Sequence, residues 1–290
     1  MRIGVIFPQV EIGNDPLAIR DYAQAAEGLG FRHVLAYDHV LGADLTNRPD
    51  WRGAYNRTTP FHEPFVLFAY LAGLTRALEF VTGVIILPQR QTALVAKQAA
   101  ALDVLSDGRL RVGVGIGWNP VEYQALGENF KNRAARLEEQ IAVLRALWSQ
   151  PSVTFHGRWH TIEEAGINPL PVQQPLPLWV GGSAEAAVER AGRLADGWFP
   201  QRAPDDHARM LLEHFRAGAV AAGRDPATLG IEARLSIGQV PEHEWVPFVE
   251  AWRALGATHL GINTMGAGLH TPQAHIEALG RVAAALGVKP

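Results

Sequence analysis

The chain has 290 residues, 48% of them hydrophobic, with a formal net charge of -3 and no cysteine. That length supports one large domain or two ordinary ones, and the apolar share excludes a disordered chain. The charge balance leaves no footprint for nucleic acid, and the lack of cysteine excludes disulfides, thiolate metal sites and cysteine nucleophiles, in keeping with a cytoplasmic protein.

Arg2–Phe7 reads as a first strand, being too short for a signal-peptide core and lacking a cleavage pattern. A helical pattern follows over Pro16–Leu29, closed by Gly30, and His33–Tyr37 is the second strand. The polar stretch from Asp38 to His62 is longer than most connections and reads as a binding loop or lid. Glu63–Thr75 is helical, Phe80–Leu87 is the third strand, ending at Pro88, and Thr92–Leu105 is a helix that stops at Ser106-Asp107-Gly108. Leu110–Ile116 is the fourth strand. Arg133–Trp148 is a helix with Leu137, Ile141, Leu144 and Trp148 on one face. Ser152 to Pro177 is an irregular insertion in which Val153–Gly157 suits a hairpin arm.

The remaining strands are Leu178–Val180, Gly197–Phe199, Ile231–Val240 and His259–Ile262, and their helices are Ala184–Leu194, Asp206–Ala222, Trp245–Leu255 and Pro272–Leu286. Eight strand–helix pairs without a composition break predict an α/β fold, a (β/α)8 TIM barrel forming one domain over 1–290, with a split doubly wound sheet as the alternative. No apolar run of about 18 residues exists, so no membrane partner is expected.

Polar groups just past the C-terminal ends of barrel strands face the active site. Asp38 and His39 stand there after the second strand. An imidazole titrates near neutrality and suits proton transfer, with Asp38 placed to orient the ring; the plain alternative is a surface pair or a turn cap. Gly83, inside the third strand, marks either a bulge or a close approach of backbone to a flat ligand. Gly113, Gly115 and Gly117 before Trp118 have G-x-G-x-G spacing with no helix beginning at once, which rejects a dinucleotide fingerprint. They suit a broad ring at the barrel mouth, with Trp118 stacking on it or packed as core. Glu122 is either a site carboxylate or a helix-start residue. Gly181-Gly182-Ser183 leads from the fifth strand into a helix and suits phosphate, unless Ser183 is a plain N-cap. His156 and His160 lie in the insertion, no H-E-x-x-H or G-x-S-x-G occurs, and neither a metal nor serine hydrolysis is expected.

Several stretches together resemble the bacterial luciferase-like superfamily, in the subgroup of coenzyme F420-dependent oxidoreductases. They are Phe61–Phe65, Val84–Arg90, Ala96–Ala100 with Leu102–Arg109, Gly113–Trp118 with Glu122, Leu144–Trp148, Trp179–Ser183 and Ala195–Phe199. The resemblance implies a luciferase-like barrel with an insertion around residues 150–177, a flavin-type ring at the C-terminal mouth, a small-molecule substrate and frequently a homodimer. It implies a non-proline cis peptide at Gly83-Val84 backing the ring, Asp38 and His39 near the reactive carbon, and Gly181, Gly182 and Ser183 holding phosphate. The activity it implies is hydride transfer between a small organic substrate and the deazaflavin F420. An FMN-dependent monooxygenase is the first alternative and a non-catalytic flavin-binding barrel the second. The sequence departs from the sugar-phosphate dehydrogenase branch, which has a glutamate where Trp118 stands, with Glu122 displaced by four residues. Arg57, Arg90 and Lys97 are candidate cations for an oligoglutamate tail.

Overall fold

Short polar caps start the helices. Asp15, Glu63, Asp205 and Thr271 precede α1 (Pro16–Gly28), α2 (Pro64–Ala72), α7 (Asp206–Ala221) and α9 (Pro272–Leu286), and each accepts from a first-turn N–H. Three of those helices open on proline, whose missing N–H needs no partner there. A computed structural model describes residues 1–290, and in it these helices alternate with parallel strands.

β1 (Arg2–Ile6) pairs with β2 (His33–Ala36) and with β11 (His259–Asn263). The ladder continues from β11 through β10 (Gly230–Ser236), β9 (Gly197–Phe199) and β8 (Leu178–Gly181) to β5 (Leu110–Gly115). β3 (Glu79–Thr82) joins β2 on one side and β5 on the other, so the eight-stranded parallel sheet closes into the expected barrel. All strands therefore end at one mouth, and residues remote in sequence meet there. Helices α3 (Thr92–Leu105), α5 (Arg133–Ser149), α6 (Glu185–Leu194) and α8 (Trp245–Ala254) complete the outer ring.

Two apolar clusters follow from the alternation of strand side chains. The larger, of 59 residues, lies mainly between sheet and helices. The smaller contains only Ile6, Leu35, Val81, Trp179 and Phe199 inside the barrel. The remaining lining is rich in glycine and charge, unlike the branched apolar filling usual for this fold.

The observed elements differ from expectation in a few places. The third strand is not continuous: β3 ends at Thr82, the Gly83-Val84 peptide is cis, and β4 (Ile85–Ile86) resumes alongside β5 before a 3-10 turn at Leu87–Gln89. A short helix, α4 (Pro120–Ala125), begins soon after the glycine run, capped by Asn119. The insertion carries a hairpin of β6 (Val153–His156) and β7 (Thr161–Ala165). Its His160 bonds Glu139 and Thr92, tying the hairpin to the barrel. The seventh barrel strand stops at Ser236 rather than Val240.

Candidate active site

The side chains of Asp38 and His39 diverge. Asp38 is buried, with Oδ1 accepting from Arg90 at 2.7 Å and Oδ2 from the Ile86 N–H at 3.0 Å. Arg90 also reaches Glu63 at 3.0 Å. Burial pushes the Asp38 carboxyl above the ordinary carboxylate range, and Arg90 opposes this only in part. Asp38 thus ties β2 to β4 and has no bond to His39, which corrects its expected role as the orienting partner. Both oxygens face protein, so the side chain offers little to a cofactor directly.

The orienting carboxylate is Glu122. Its Oε1 meets His39 Nδ1 at 3.2 Å and accepts from the Val40 and Leu41 N–H groups at 2.6 and 3.2 Å, while Oε2 accepts from Gln89 at 3.1 Å. Burial works against its charge, but His39, the Val40 N–H and Gln89 outweigh burial and hold the carboxyl below its ordinary range. An ionised carboxylate only accepts, so Nδ1 carries the ring proton and Nε2 presents a lone pair. Nε2 has no protein partner and keeps contact with solvent.

Aromatic side chains enclose that imidazole. Tyr55 and Phe61 from the long loop stand 5.1 and 5.0 Å from it, and Trp118 5.5 Å. Trp51 packs on Trp118 at 5.8 Å, yet Trp118 remains 41% exposed. His39 therefore opens onto a depression beneath the loop, shared with Leu41, Tyr55 and Phe61. A second, small central cavity lies at the barrel mouth and opens to solvent. Gly83 and Val84 line it with Tyr37 and Arg234; His39 does not.

A chain of close contacts links the two regions. Gly117, at φ +64°, lies against Ile86, where a Cβ would come 2.7 Å from Ile86 Cγ2. The Val84 side chain occupies the space left by two glycines, since a Cβ on Gly115 or Gly181 would fall 2.6 or 2.9 Å from it. Gly83 itself is demanded by Leu35, whose side chain a Cβ would overlap. These glycines thus admit protein side chains, not ligand, into close contact, while Val84 and Ile86 stay partly exposed. Beyond Gly181 the turn is held by Trp198 Nε1 donating to the Gly182 carbonyl at 2.8 Å. Ser183 is exposed and precedes the cap position, which is Ala184; no side chain caps α6, so its first-turn N–H groups have no side-chain partner. Gly182 has φ +150°, a conformation L side chains rarely adopt.

The three cations assigned to a cofactor tail are engaged elsewhere. Arg57 pairs with Asp44, Arg90 with Asp38 and Glu63, and Lys97 donates to the Asn168 carbonyl. The polar barrel interior escaped sequence reading altogether. Glu232 binds His33 at 2.8 Å and Arg111 at 2.6 Å, and those two partners hold its carboxyl far below the usual range despite burial. Burial, aided by Arg111, drives His259 down to about 3. Alternation along Gly230–Ser236 carried the signal: Ile231, Ala233 and Leu235 join the outer core, leaving Glu232 and Arg234 for the barrel side.

A family model described as luciferase-like monooxygenase matches residues 1–286. An F420-dependent hydroxymycolic acid dehydrogenase of Mycobacterium tuberculosis (strain ATCC 25618 / H37Rv) is 35% identical over 80% of this chain and 61% of its own length. An FMNH2-dependent dimethylsulfone monooxygenase of Pseudomonas putida is 30% identical over 74% of this chain and 56% of its own. The structure of an F420-dependent secondary alcohol dehydrogenase in complex with an F420-acetone adduct superposes with a TM-score of 0.76 at 19% identity, covering 98% of both chains, a likeness in fold. The chain belongs to the luciferase-like monooxygenase family.

Proposed function

We propose that the protein is an F420-dependent oxidoreductase that passes a hydride between a small organic substrate and the deazaflavin. One observation carries the reading: a chain of contacting residues runs from His39 through Trp118, Gly117 with Ile86, and Val84 with Gly181 to the start of α6. Its far end, a helix start with no side-chain cap, suits a phosphate. The residues fit such a group on two counts, the partly exposed shelf of Val84 and Ile86 and the first turn behind Gly182, which no side chain caps. The relative at 35% identity is named for F420, which favours the deazaflavin over FMN.

A bound deazaflavin supplies a ring carbon that accepts or donates hydride. The chain supplies the rest. His39 Nε2 takes the proton that leaves with the hydride, or returns it in the reverse direction, and Glu122 orients the ring through its contact with Nδ1. Tyr55, Phe61 and Trp118 limit water around the imidazole. Asp38 acts at one remove, bracing Ile86 and so the shelf. An FMN-dependent monooxygenase is the second reading, favoured by the Pseudomonas putida relative. The outward residues Val66 and Tyr70 of α2 and Leu94 and Leu105 of α3, between 40% and 73% exposed, are where we place a second copy of the chain.

The experiment is a fluorescence titration of the purified protein with F420 and, separately, with FMN. Saturable binding of F420 well ahead of FMN is expected. Micromolar binding of FMN with none for F420 would reverse the choice of cofactor, and binding of neither would end the reading.

A further inference from the structure

The barrel lining is unbalanced in charge. It holds two guanidinium groups, Arg111 and Arg234, against one carboxylate, Glu232. Both Glu232 oxygens are used below the mouth, Oε1 by His33 Nε2 and Oε2 by Arg111, which is further covered by the Trp179 ring at 4.3 Å. His259, held down to about 3, adds no charge at neutral pH. Arg234 is left over. It makes no ion pair, and its one hydrogen bond is a long 3.4 Å contact from a guanidinium nitrogen to the Tyr37 hydroxyl.

Arg234 is partly buried in the wall of the central cavity, with Leu35, Tyr37, Val84, Phe199 and Gln201 nearby. A guanidinium has five donors in a planar fork, and leaving it uncompensated against apolar surface is unfavourable. The Tyr37 hydroxyl accepts from Arg234, so its own proton is free to point at a third group. Burial keeps that proton in place at neutral pH, against the pull of Arg234. One net positive charge, a planar fork and a neighbouring hydroxyl in a small, largely apolar hollow match a monoanion with two coplanar oxygens better than a phosphate dianion.

We propose that Arg234 and Tyr37 form a subsite for the carboxylate of a small organic acid, so that the substrate of the oxidoreductase carries a carboxylate. Only the word substrate rests on the function proposed above; the anion subsite stands on the cavity alone. Arg234, on β10, stands across the barrel from β4 and its shelf residue Ile86, so it holds the acid by its charged end. The apolar neighbours Leu35 and Phe199 then receive the hydrocarbon part.

The test is calorimetric titration of the purified chain, without added cofactor, with benzoate and isobutyrate and with their neutral amides, for wild type, Arg234→Met, Arg234→Lys and Tyr37→Phe. Wild type is expected to bind at least one carboxylate saturably and at least about tenfold tighter than its amide. Arg234→Met should lose about 10- to 100-fold in carboxylate affinity and nothing for the amide. Arg234→Lys, which keeps the charge and loses the fork, should fall between, and it carries the comparison if Arg234→Met fails a circular-dichroism check of folding. Carboxylates binding no tighter than amides, equal affinity in wild type and the arginine variants, or inorganic phosphate binding tighter than either acid would each overturn the proposal. A parallel F420 and FMN titration separates the two ideas. If wild type takes neither cofactor but holds the acid through Arg234, the function fails and the subsite stands. If Arg234→Met weakens a cofactor and leaves the acid untouched, Arg234 belongs to the cofactor and the subsite is refuted.

Discussion

Glu122 is the residue on which the geometry around His39 turns, and its removal has a calculable effect. Four donors converge on its carboxylate: His39 Nδ1, the Val40 and Leu41 N–H groups, and Gln89 Nε2. Glu122→Ala orphans all four, and an unsatisfied buried donor costs about 1–3 kcal/mol. Val40 is exposed enough for water to replace part of the loss, so about two donors remain unsatisfied, for ~2–6 kcal/mol. Glu122→Gln keeps one acceptor oxygen for Val40 and His39. Its new amide group faces Gln89, whose own Oε1 is buried without a partner and can turn to accept it. Only the charge-assisted share is lost, ~1–2 kcal/mol. Urea unfolding at neutral pH measures both, and nitrogen-15 NMR of the imidazole reads the tautomer. The expected order is wild type, then Gln, then Ala, with Nδ1-protonated His39 retained in Gln and mixed in Ala. The sign with pH follows from the depressed carboxyl: its contribution is complete above the ordinary carboxylate range and disappears as the pH falls through the lower value of the folded state. Equal midpoints for wild type and Glu122→Ala, or an unchanged tautomer in Ala, would refute the assignment.

Four further outcomes are expected. His39→Ala should lower turnover by about 10²- to 10⁴-fold with cofactor affinity little changed, and a near-wild-type rate in steady-state kinetics removes His39 from proton transfer. His259, held down to about 3 by burial and Arg111, stays neutral in the fold while the unfolded chain protonates it near pH 6.5; stability should fall as pH drops from 6.5 toward 4.5, by up to about 1.4 kcal/mol per pH unit, and His259→Asn should flatten that slope in urea titrations. Asp38→Asn weakens the Arg90 pair but leaves Arg90 with Glu63, so a loss of ~1–3 kcal/mol is expected, together with weaker cofactor binding as Ile86 is released; unchanged melting and affinity would show that the shelf does not depend on Asp38. Trp118→Phe should remove part of the tryptophan quench seen on cofactor titration, whereas an identical quench would move the ring away from Trp118.

The barrel was legible because its signals are local. Apolar runs of strand length alternate with helical periodicity and with caps such as Asp15 and Glu63, and each can be read within about a dozen residues. The mouth residues were legible for a related reason, since the end of a strand fixes which side chains reach the rim. Partnership was not. Asp38 and His39 are neighbours in the chain, and adjacency suggested a pair, yet a two-residue step past a strand end sends successive side chains to different sides. The true partner of His39 lies 83 residues away on a helix too short to leave a periodic pattern. The glycines were read as room for a ligand; Leu35, Val84 and Ile86 use that room instead, which only packing in three dimensions reveals.

The fate of the carboxylates narrows what the site can do. Asp38 is spent on Arg90 and Ile86, Glu63 on Arg90 and the Val66 N–H, Glu122 on four donors, and Glu232 on His33 and Arg111. Each has its oxygens committed to protein donors, so using one as a free acid or base would break bonds worth about 1.5–3 kcal/mol apiece before any proton moved. Three groups at the mouth escape that commitment: His39 Nε2 and the Tyr55 hydroxyl, which have no protein partner, and the Tyr37 hydroxyl, whose proton is not donated to protein. Burial keeps both Tyr37 and Tyr55 protonated, which suits donation and not abstraction from a carbon or an alcohol. His39 is then the group left to carry a proton at this mouth, and the carboxylates serve as its scaffold: Glu122 by fixing the ring, Asp38 by fixing the strand across from it.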